Sequence, residues 1–119
     1  MRFLLFPSLL WLAACGSADP LDGRWEAEIL DGQNVRSRGY VIHVKNKAVT
    51  SGRDGCNAWG RSDQPGLIVS DAQECPHDPL APAYWQIADA APFGGRLLAD
   101  GRLRVSAGGH KATFRRAGD

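Results

Sequence analysis

Short runs in which apolar and polar residues alternate recur along most of this 119-residue chain. In the run that starts at Gly23, the residues Trp25, Ala27 and Ile29 alternate with charged residues. A period of two puts successive side chains on opposite faces of a strand, so we expect one face of each run to be buried. Glycine, asparagine and aspartate separate the runs, which is typical of antiparallel strands joined by short turns. The pattern predicts a mainly β fold.

The runs predict about seven strands, which lie near residues 23–29, 40–45, 48–59, 67–69, 96–98, 102–105 and 111–116. In the third of them, the strand is expected to continue from Ala48 through Cys56 to Trp59. The Asp100-Gly101 pair between two alternating runs is a strong signal for a hairpin. A small antiparallel sheet, either strongly twisted or closed into a barrel, is the simplest arrangement of these strands.

One segment has the apolar spacing of a helix, and its regularly spaced residues are Leu80, Tyr84, Ile87 and Ala91. Asp78 is placed to cap this helix, with Pro79 in the first turn. Pro82 lacks a backbone N–H and disturbs a helix that begins so early, so regular structure is also compatible with a start near Ala81. The helix is expected to cover an open end or a face of the sheet.

The N-terminal segment has the features of a secretory signal. Arg2 precedes an apolar run, residues 3–12, that is too short to span a bilayer. The run ends in Leu12-Ala13-Ala14-Cys15, which resembles the bacterial lipobox, in which the cysteine is acylated and becomes the new N-terminus. The alternative is an ordinary cleavage after Ala14 that leaves Cys15 as a free thiol. Two or more acyl chains anchor a protein stably, so acylation predicts a membrane-bound protein.

This signal divides the chain into a signal peptide (1–14), a lipidated N-terminus with a short tether (15–22) and one folded domain (23–117). Gly16 rather than aspartate follows Cys15, which in bacterial lipoproteins favours the outer membrane. The predicted location is therefore the cell envelope, with the domain anchored at the outer membrane and facing the periplasm.

The charges of the mature chain balance. Removal of Arg2 with the signal peptide leaves 13 of the 14 Lys and Arg residues against 13 Asp and Glu. This balance argues against a nucleic-acid partner and against a polybasic membrane patch. Basic residues do concentrate near the C-terminus, where they alternate with apolar residues: Arg102, Arg104, Lys111, Arg115 and Arg116. We interpret them as the solvent face of strands, with an anion-binding stripe as the alternative.

The cysteines predict one disulfide. With Cys15 acylated, Cys56 and Cys75 remain as an even pair in an oxidising compartment. A bridge that closes a loop of this size is expected to stabilise the fold by about 3 kcal/mol. A thiol nucleophile beside His43 or His77 is the catalytic alternative, but it requires a free cysteine.

The sequence gives little support for a metal-binding site or for paired catalytic carboxylates. Cys75-Pro76-His77-Asp78 contains three types of metal ligand and Cys56 could add a fourth, but such close spacing through a proline hinders convergence on one ion. Glu26 and Glu28 are expected on the outer face of a strand, and Asp54 is placed to serve a turn. We therefore predict that the protein is not an enzyme and binds no metal or cofactor.

Gly55-Cys56-Asn57, followed after an intervening strand by Cys75-Pro76, resembles the META-domain family of HslJ-like bacterial proteins. Gly23-Arg24-Trp25 and the closing Ala112-Thr113-Phe114-Arg115 extend the resemblance over the mature chain, whereas the segment before Cys75 departs from the family's pattern. The resemblance implies a small, antiparallel, lipocalin-like β-barrel with one helix. It also implies a periplasmic or lipid-anchored protein linked to heat shock, antibiotic tolerance or secretion, without an established enzymatic activity.

The predicted function is that of a non-enzymatic envelope lipoprotein with a binding or envelope-stress role. Its partners are the membrane, reached through Cys15, and an envelope protein or small ligand. A carrier of small apolar ligands that uses the mouth of the barrel and an exported protease inhibitor are the alternatives. Gly55, Asn57 and Trp59 are candidates for a structural or a recognition role at the Cys56–Cys75 bridge.

Overall fold

A computed structural model describes residues 19–91 and 94–118. The predicted signal peptide and Cys15 lie outside these residues. The strands are β1 (Gly23–Leu30), β2 (Gln33–Asn34), β3 (Tyr40–Lys45), β4 (Ala48–Asp54), β5 (Ala58–Arg61), β6 (Ile68–Ser70), β7 (Gly95–Leu97), β8 (Leu103–Ala107) and β9 (His110–Arg116), and the helix α1 is Ala81–Ala90. At ten residues, α1 is too short to cross a bilayer, and the described part of the chain contains no helix that could do so.

The nine strands form one antiparallel sheet in the order β6-β5-β4-β3-β1-β9-β8-β7, with β2 paired to β1. The prediction of a mainly β fold with one helix is confirmed. The sheet is open and has β6 and β7 as its edges, so closure into a lipocalin-like barrel is not confirmed. The predicted apolar strand at 67–69 is β6, and its Val69 side chain is 62% exposed because this strand lies at an edge.

The core lies between α1 and one face of the sheet, which we call the inner face. The helix packs against β4, β8 and β9. The largest fully buried side chains of this core are Trp25, Tyr40, Tyr84, Phe114, Leu30, Ile42, Ile87 and Leu103. Each such side chain stabilises the fold by roughly 1.5–3 kcal/mol on transfer from water. Alternate residues of the strands therefore form the buried face that the sequence pattern predicted.

A β-bulge in β1 changes which residues face the core. The register of β1 against β9 shifts between Ala27 and Ile29. An extra residue at a bulge moves the following side chains to the opposite face. The predicted inward position of Ile29 is therefore wrong: Ile29 is half-buried, and Leu30 is 1% exposed in its place.

The predicted continuous strand from Ala48 to Trp59 is also wrong. β4 ends at Asp54 and the chain reverses direction before β5 begins at Ala58. The Asp54 carboxylate accepts hydrogen bonds from the N–H groups of Cys56 and Asn57, at 3.1 and 2.8 Å, and so stabilises the turn locally. Cys56 consequently lies in a turn rather than on a central strand.

The helix begins at Ala81, the later of the two predicted starts, with Pro82 in its first turn, where a missing N–H is harmless. Asp78 lies outside the helix, and no side chain caps the first turn at Leu80. The Asp78 carboxylate instead accepts the Leu80 N–H at 2.9 Å, in the turn that leads into α1. Asp78 therefore stabilises the turn before the helix, and not the first turn of the helix as predicted.

Residues 19–22, which were assigned to the tether, pack on the domain. Arg116 of β9 donates to the carbonyl oxygens of Pro20 and Asp22, both at 2.7 Å. The Trp25 indole donates to the Leu21 carbonyl oxygen at 2.9 Å. Only residues 16–18 of the predicted tether lie between Cys15 and this packed segment.

Candidate functional site

A cleft of about 500 Å³ lies beside the disulfide, at the end of the sheet where β3 begins and β4 ends. The side chains that surround it come from the β2–β3 connection, the β4–β5 turn and the segment that precedes α1. They include Arg38, Asp54, Asn57, Gln73, His77 and Asp78. The cleft is therefore built from loops that the sheet and the helix hold in place.

The Cys56–Cys75 disulfide is present, as the cysteine count predicted, with a Cα–Cα distance of 6.1 Å. It joins the β4–β5 turn to the exposed segment before α1. Both sulfur atoms are bonded to each other, so neither is available as the nucleophile of the alternative cysteine–histidine pair.

Gly55 has a conformation and surroundings that favour glycine. Its φ is +94°, and a Cβ at this position would lie 3.3 Å from the Tyr40 ring. Its N–H donates to the Gly39 carbonyl oxygen at 3.1 Å. Glycine is favoured here because larger residues are strained at this φ, and because a Cβ would also crowd the Tyr40 ring.

Asn57 ties the exposed segment to the sheet with both ends of its amide. The Oδ1 atom accepts the Gln73 N–H at 3.2 Å, and Nδ2 donates to the Gln73 carbonyl oxygen at 3.4 Å. The Nδ2 atom also lies 3.4 Å from Cys75 Sγ. These bonds give Asn57 a structural role, because they hold the backbone that carries Cys75 against the β4–β5 turn.

Trp59 belongs to the core and does not line the cleft. Its side chain is 4% exposed, and its Nε1 donates to the Tyr84 hydroxyl at 2.8 Å. That hydroxyl donates to the Val41 carbonyl oxygen at 2.6 Å. Of the structural and recognition roles that the sequence left open for Trp59, this burial favours the structural one.

A polar cluster forms one rim of the cleft. The Asp78 carboxylate accepts the Tyr40 hydroxyl, and Arg38 Nη2 lies 3.3 Å from Asp78 Oδ2. Burial alone would raise the pKa of Asp78, but the hydrogen bonds from Tyr40 and Leu80, together with the charge of Arg38, outweigh it and lower this pKa. Burial, and then the bond to Asp78, raise the pKa of Tyr40, so its hydroxyl stays protonated and continues to donate.

Among the described residues, the structure does not bring together the ligands of the alternative metal site. Within residues 19–91 and 94–118, no three His, Cys, Asp or Glu side chains converge on a point where they could hold a metal ion. Glu26 and Glu28 form ion pairs with Arg115 and Arg36, at 2.6 and 3.1 Å. Their outward orientation agrees with the alternation of β1.

The cleft offers a guanidinium, an imidazole and exposed backbone, which suit hydrogen bonding to a polar ligand. Sequence reasoning missed Arg38 as a member of this site, because it lies in a loop without a motif. It identified Tyr40 as a core residue, which it is, but not the bond from its hydroxyl to Asp78 at the rim. The alternation indicated that Tyr40 begins a strand, but not that its hydroxyl would reach a carboxylate 38 residues further along the chain.

Comparison of the chain with protein-family models, with curated proteins and with solved structures finds no match. The resemblance to the META-domain family therefore rests on the sequence motifs alone, and any role of the cleft rests on its geometry.

Proposed function

We propose that this protein is a non-enzymatic, META/HslJ-like lipoprotein of the cell envelope that binds a partner at the cleft beside the disulfide. The observation that carries the proposal is the Cys56–Cys75 bridge, which holds the exposed segment before α1 against the β4–β5 turn. Structural disulfides persist in exported proteins, which supports a periplasmic location. In this proposal Cys15 is acylated and anchors the domain at the outer membrane.

The cleft suits a polar partner, such as an extended segment of an envelope protein. Arg38 contributes a side chain that is 44% exposed, and His77, next to Asp78 in the chain, is also exposed at the cleft. Asn57 and Asp54 are already engaged in holding the walls. A site whose walls are fixed before binding loses little conformational entropy when the partner docks, which favours recognition.

The two alternative functions receive less support. A carrier of small apolar ligands needs free space on the inner face of the sheet, and this face is covered by α1 and filled by Trp25, Tyr84 and Phe114. An inhibitor that acts through its N-terminal segment needs that segment to be free. Here Pro20 and Asp22 are bound by Arg116.

Site-specific photo-crosslinking in intact membranes tests the proposed binding surface. A photoreactive residue at His77, on the cleft, is expected to give a discrete cross-linked product. The same residue at Thr50, which is exposed on β4 and does not line this cleft, is the matched control. Loss of the His77 product in Arg38→Ala would locate binding in the cleft. Identical products from both positions would contradict it.

A further inference from the structure

The exposed large apolar side chains of this fold lie at the two edges of the open sheet. Among the described residues they are Leu67, Ile68 and Val69, in or next to β6, and Leu97 in β7. These two strands end the sheet, and in the described part of the chain no further strand pairs with their outer sides. An unpaired edge strand with exposed apolar residues is a surface on which another strand can add.

The free edge of β6 presents unpaired backbone groups at Ile68 and Ser70. The carbonyl oxygen of Leu67 and the N–H of Asp71 bond toward the β5 side, at 2.9 and 3.0 Å. Hydrogen-bonded pairs alternate along an antiparallel ladder, so the backbone N–H and C=O groups of Ile68 and Ser70 point away from β5. The side chain of Ser70 is opposite the buried Trp59, which places the side chains of Ile68 and Ser70 on the inner face.

The free edge of β7 has the same arrangement at Gly95 and Leu97. The carbonyl oxygen of Gly94 and the N–H of Leu98 bond toward the β8 side, at 3.3 and 2.7 Å. The backbone groups of Gly95 and Leu97 therefore point away from β8. Leu97 is opposite the buried Leu103, so its side chain is also on the inner face. Each edge thus offers two residues, at the same spacing, for a new ladder.

The two edges carry opposite charge. Residues 62–95 contain no Lys or Arg, and the carboxylates Asp71 and Glu74 follow β6 directly. At the other edge, Arg96 lies opposite Arg104, and none of the ion pairs in the described part of the chain includes either arginine. Like charges directly opposite each other are unfavourable, and a carboxylate brought to this edge would relieve their repulsion. The acidic edge of one copy therefore complements the basic edge of another, whereas two acidic edges repel.

We propose that β6 of one copy pairs antiparallel with β7 of a second copy, so that the sheet continues from one molecule into the next. In this register Ile68 lies opposite the second copy's Leu97, and two exposed apolar side chains meet on the inner face. Val69 lies opposite the second copy's Arg96 on the outer face. Asp71, two residues further along that face, is the diagonal neighbour of the same arginine.

This contact joins two different surfaces of the same chain. Each copy has one β6 edge and one β7 edge, and pairing uses one edge from each molecule. Such a heterologous interface continues beyond two copies, into a ring where the rotation closes and into an open chain where it does not. Pairing of β6 with a second β6 would instead stop at a symmetric dimer.

Disulfide cross-linking between differently tagged chains tests the register. Both chains carry Cys15→Ser, so that the introduced cysteine is the free thiol beside the Cys56–Cys75 bridge. A mixture of V69C and R96C chains is expected to give the mixed V69C–R96C dimer as its main oxidation product, because these positions form a non-hydrogen-bonded pair, where side chains are closest. Thr50→Cys, exposed on β4, is the matched control and should give only background product with R96C. A V69C–V69C dimer as the main product, or no product above that background, would overturn the proposal.

Charge variants at Val69 test the choice of partner by sedimentation equilibrium. Val69→Lys places a cation opposite the second copy's Arg96 and should lower the association constant by about two- to fivefold, whereas Val69→Glu should raise it by a similar factor. The double variant V69K/R96E restores opposite charges and should associate as the wild type does. Equal weakening by Val69→Lys and Val69→Glu would overturn the proposal, because the patch would then be apolar without a specific partner. A wild type that stays monomeric at every concentration would also overturn it, and circular dichroism verifies that each variant is folded.

Discussion

The Trp59 indole Nε1 donates a 2.8 Å hydrogen bond to the hydroxyl of Tyr84 inside the core. The same hydroxyl donates to the Val41 carbonyl oxygen at 2.6 Å, so one phenol links β5, α1 and β3. Burial raises the pKa of Tyr84, which keeps the hydroxyl protonated and able to donate. This link fixes the helix relative to the strands that support the cleft.

Tyr84→Phe is expected to lower the free energy of unfolding by about 1–3 kcal/mol, because it leaves the Trp59 N–H and the Val41 carbonyl group buried with one partner fewer. Urea denaturation of the wild type and the variant measures this difference. Trp59→Phe and the double variant complete a thermodynamic cycle, in which the two effects should be strongly non-additive. Simple additivity would contradict a direct bond between the two side chains.

Gly52 allows this link to form. A Cβ at Gly52 would overlap the Val41 carbonyl oxygen and would lie 2.6 Å from the Tyr84 hydroxyl. Gly52→Ala is therefore expected to destabilise the protein by about 3 kcal/mol. Gly60→Ala, in the neighbouring strand, is the control: its Cβ would be no closer than 3.9 Å to its neighbours, so a change within about 0.5 kcal/mol is expected. Equal effects in thermal or urea unfolding would exclude the steric explanation.

The disulfide is expected to order the segment before α1. Replacing both cysteines, as Cys56→Ser with Cys75→Ser, should lower the free energy of unfolding by about 3 kcal/mol. It should also speed hydrogen exchange at the Gln73 N–H, which bonds to Asn57. The N–H of Ile42, in the central strand β3, serves as the internal reference. Unchanged exchange at Gln73 would mean that the bridge does not hold this segment.

The lowered pKa of Asp78 predicts that the free energy of unfolding depends on pH. Its pKa in the folded protein is lowered from the usual 3.8, so its contribution to stability is fully present above about pH 4 and is lost as the pH falls through the folded value. At pH 7, Asp78→Asn should lower the free energy of unfolding by about 1–3 kcal/mol, through weaker bonds to Tyr40 and Arg38. The difference between wild type and variant should shrink in acid.

Urea denaturation at several pH values measures this dependence. Asp63→Asn is the control, since Asp63 is exposed in the β5–β6 connection. A wild-type-to-Asp78→Asn difference that is constant between pH 7 and pH 3 would contradict the role given to the carboxylate.

Alternation in the sequence was sufficient to predict most strands and the class of fold. It failed at Ile29, because a bulge in β1 reverses the faces and depends on pairing with β9, a strand far along the chain. It failed at Cys56, because the Asp54 carboxylate stabilises a turn within a run that looks continuous. Closure of the sheet depends on contacts between its two edges, which no local pattern reports.

The candidate site was predicted in part. The disulfide followed from the number of cysteines, and the structure places Gly55 and Asn57, which the sequence singled out, beside that bridge. Arg38 was missed because its partner, Asp78, is 40 residues away in sequence.

The mass of the N-terminal peptide of the protein isolated from membranes tests the account most directly, because the anchor underlies the location proposed for the protein. We predict a mature chain that begins at Cys15 and carries acyl groups, together with loss of this modification in Cys15→Ala. A membrane-extracted chain that begins at an unmodified Cys15, or at Met1, would contradict the account.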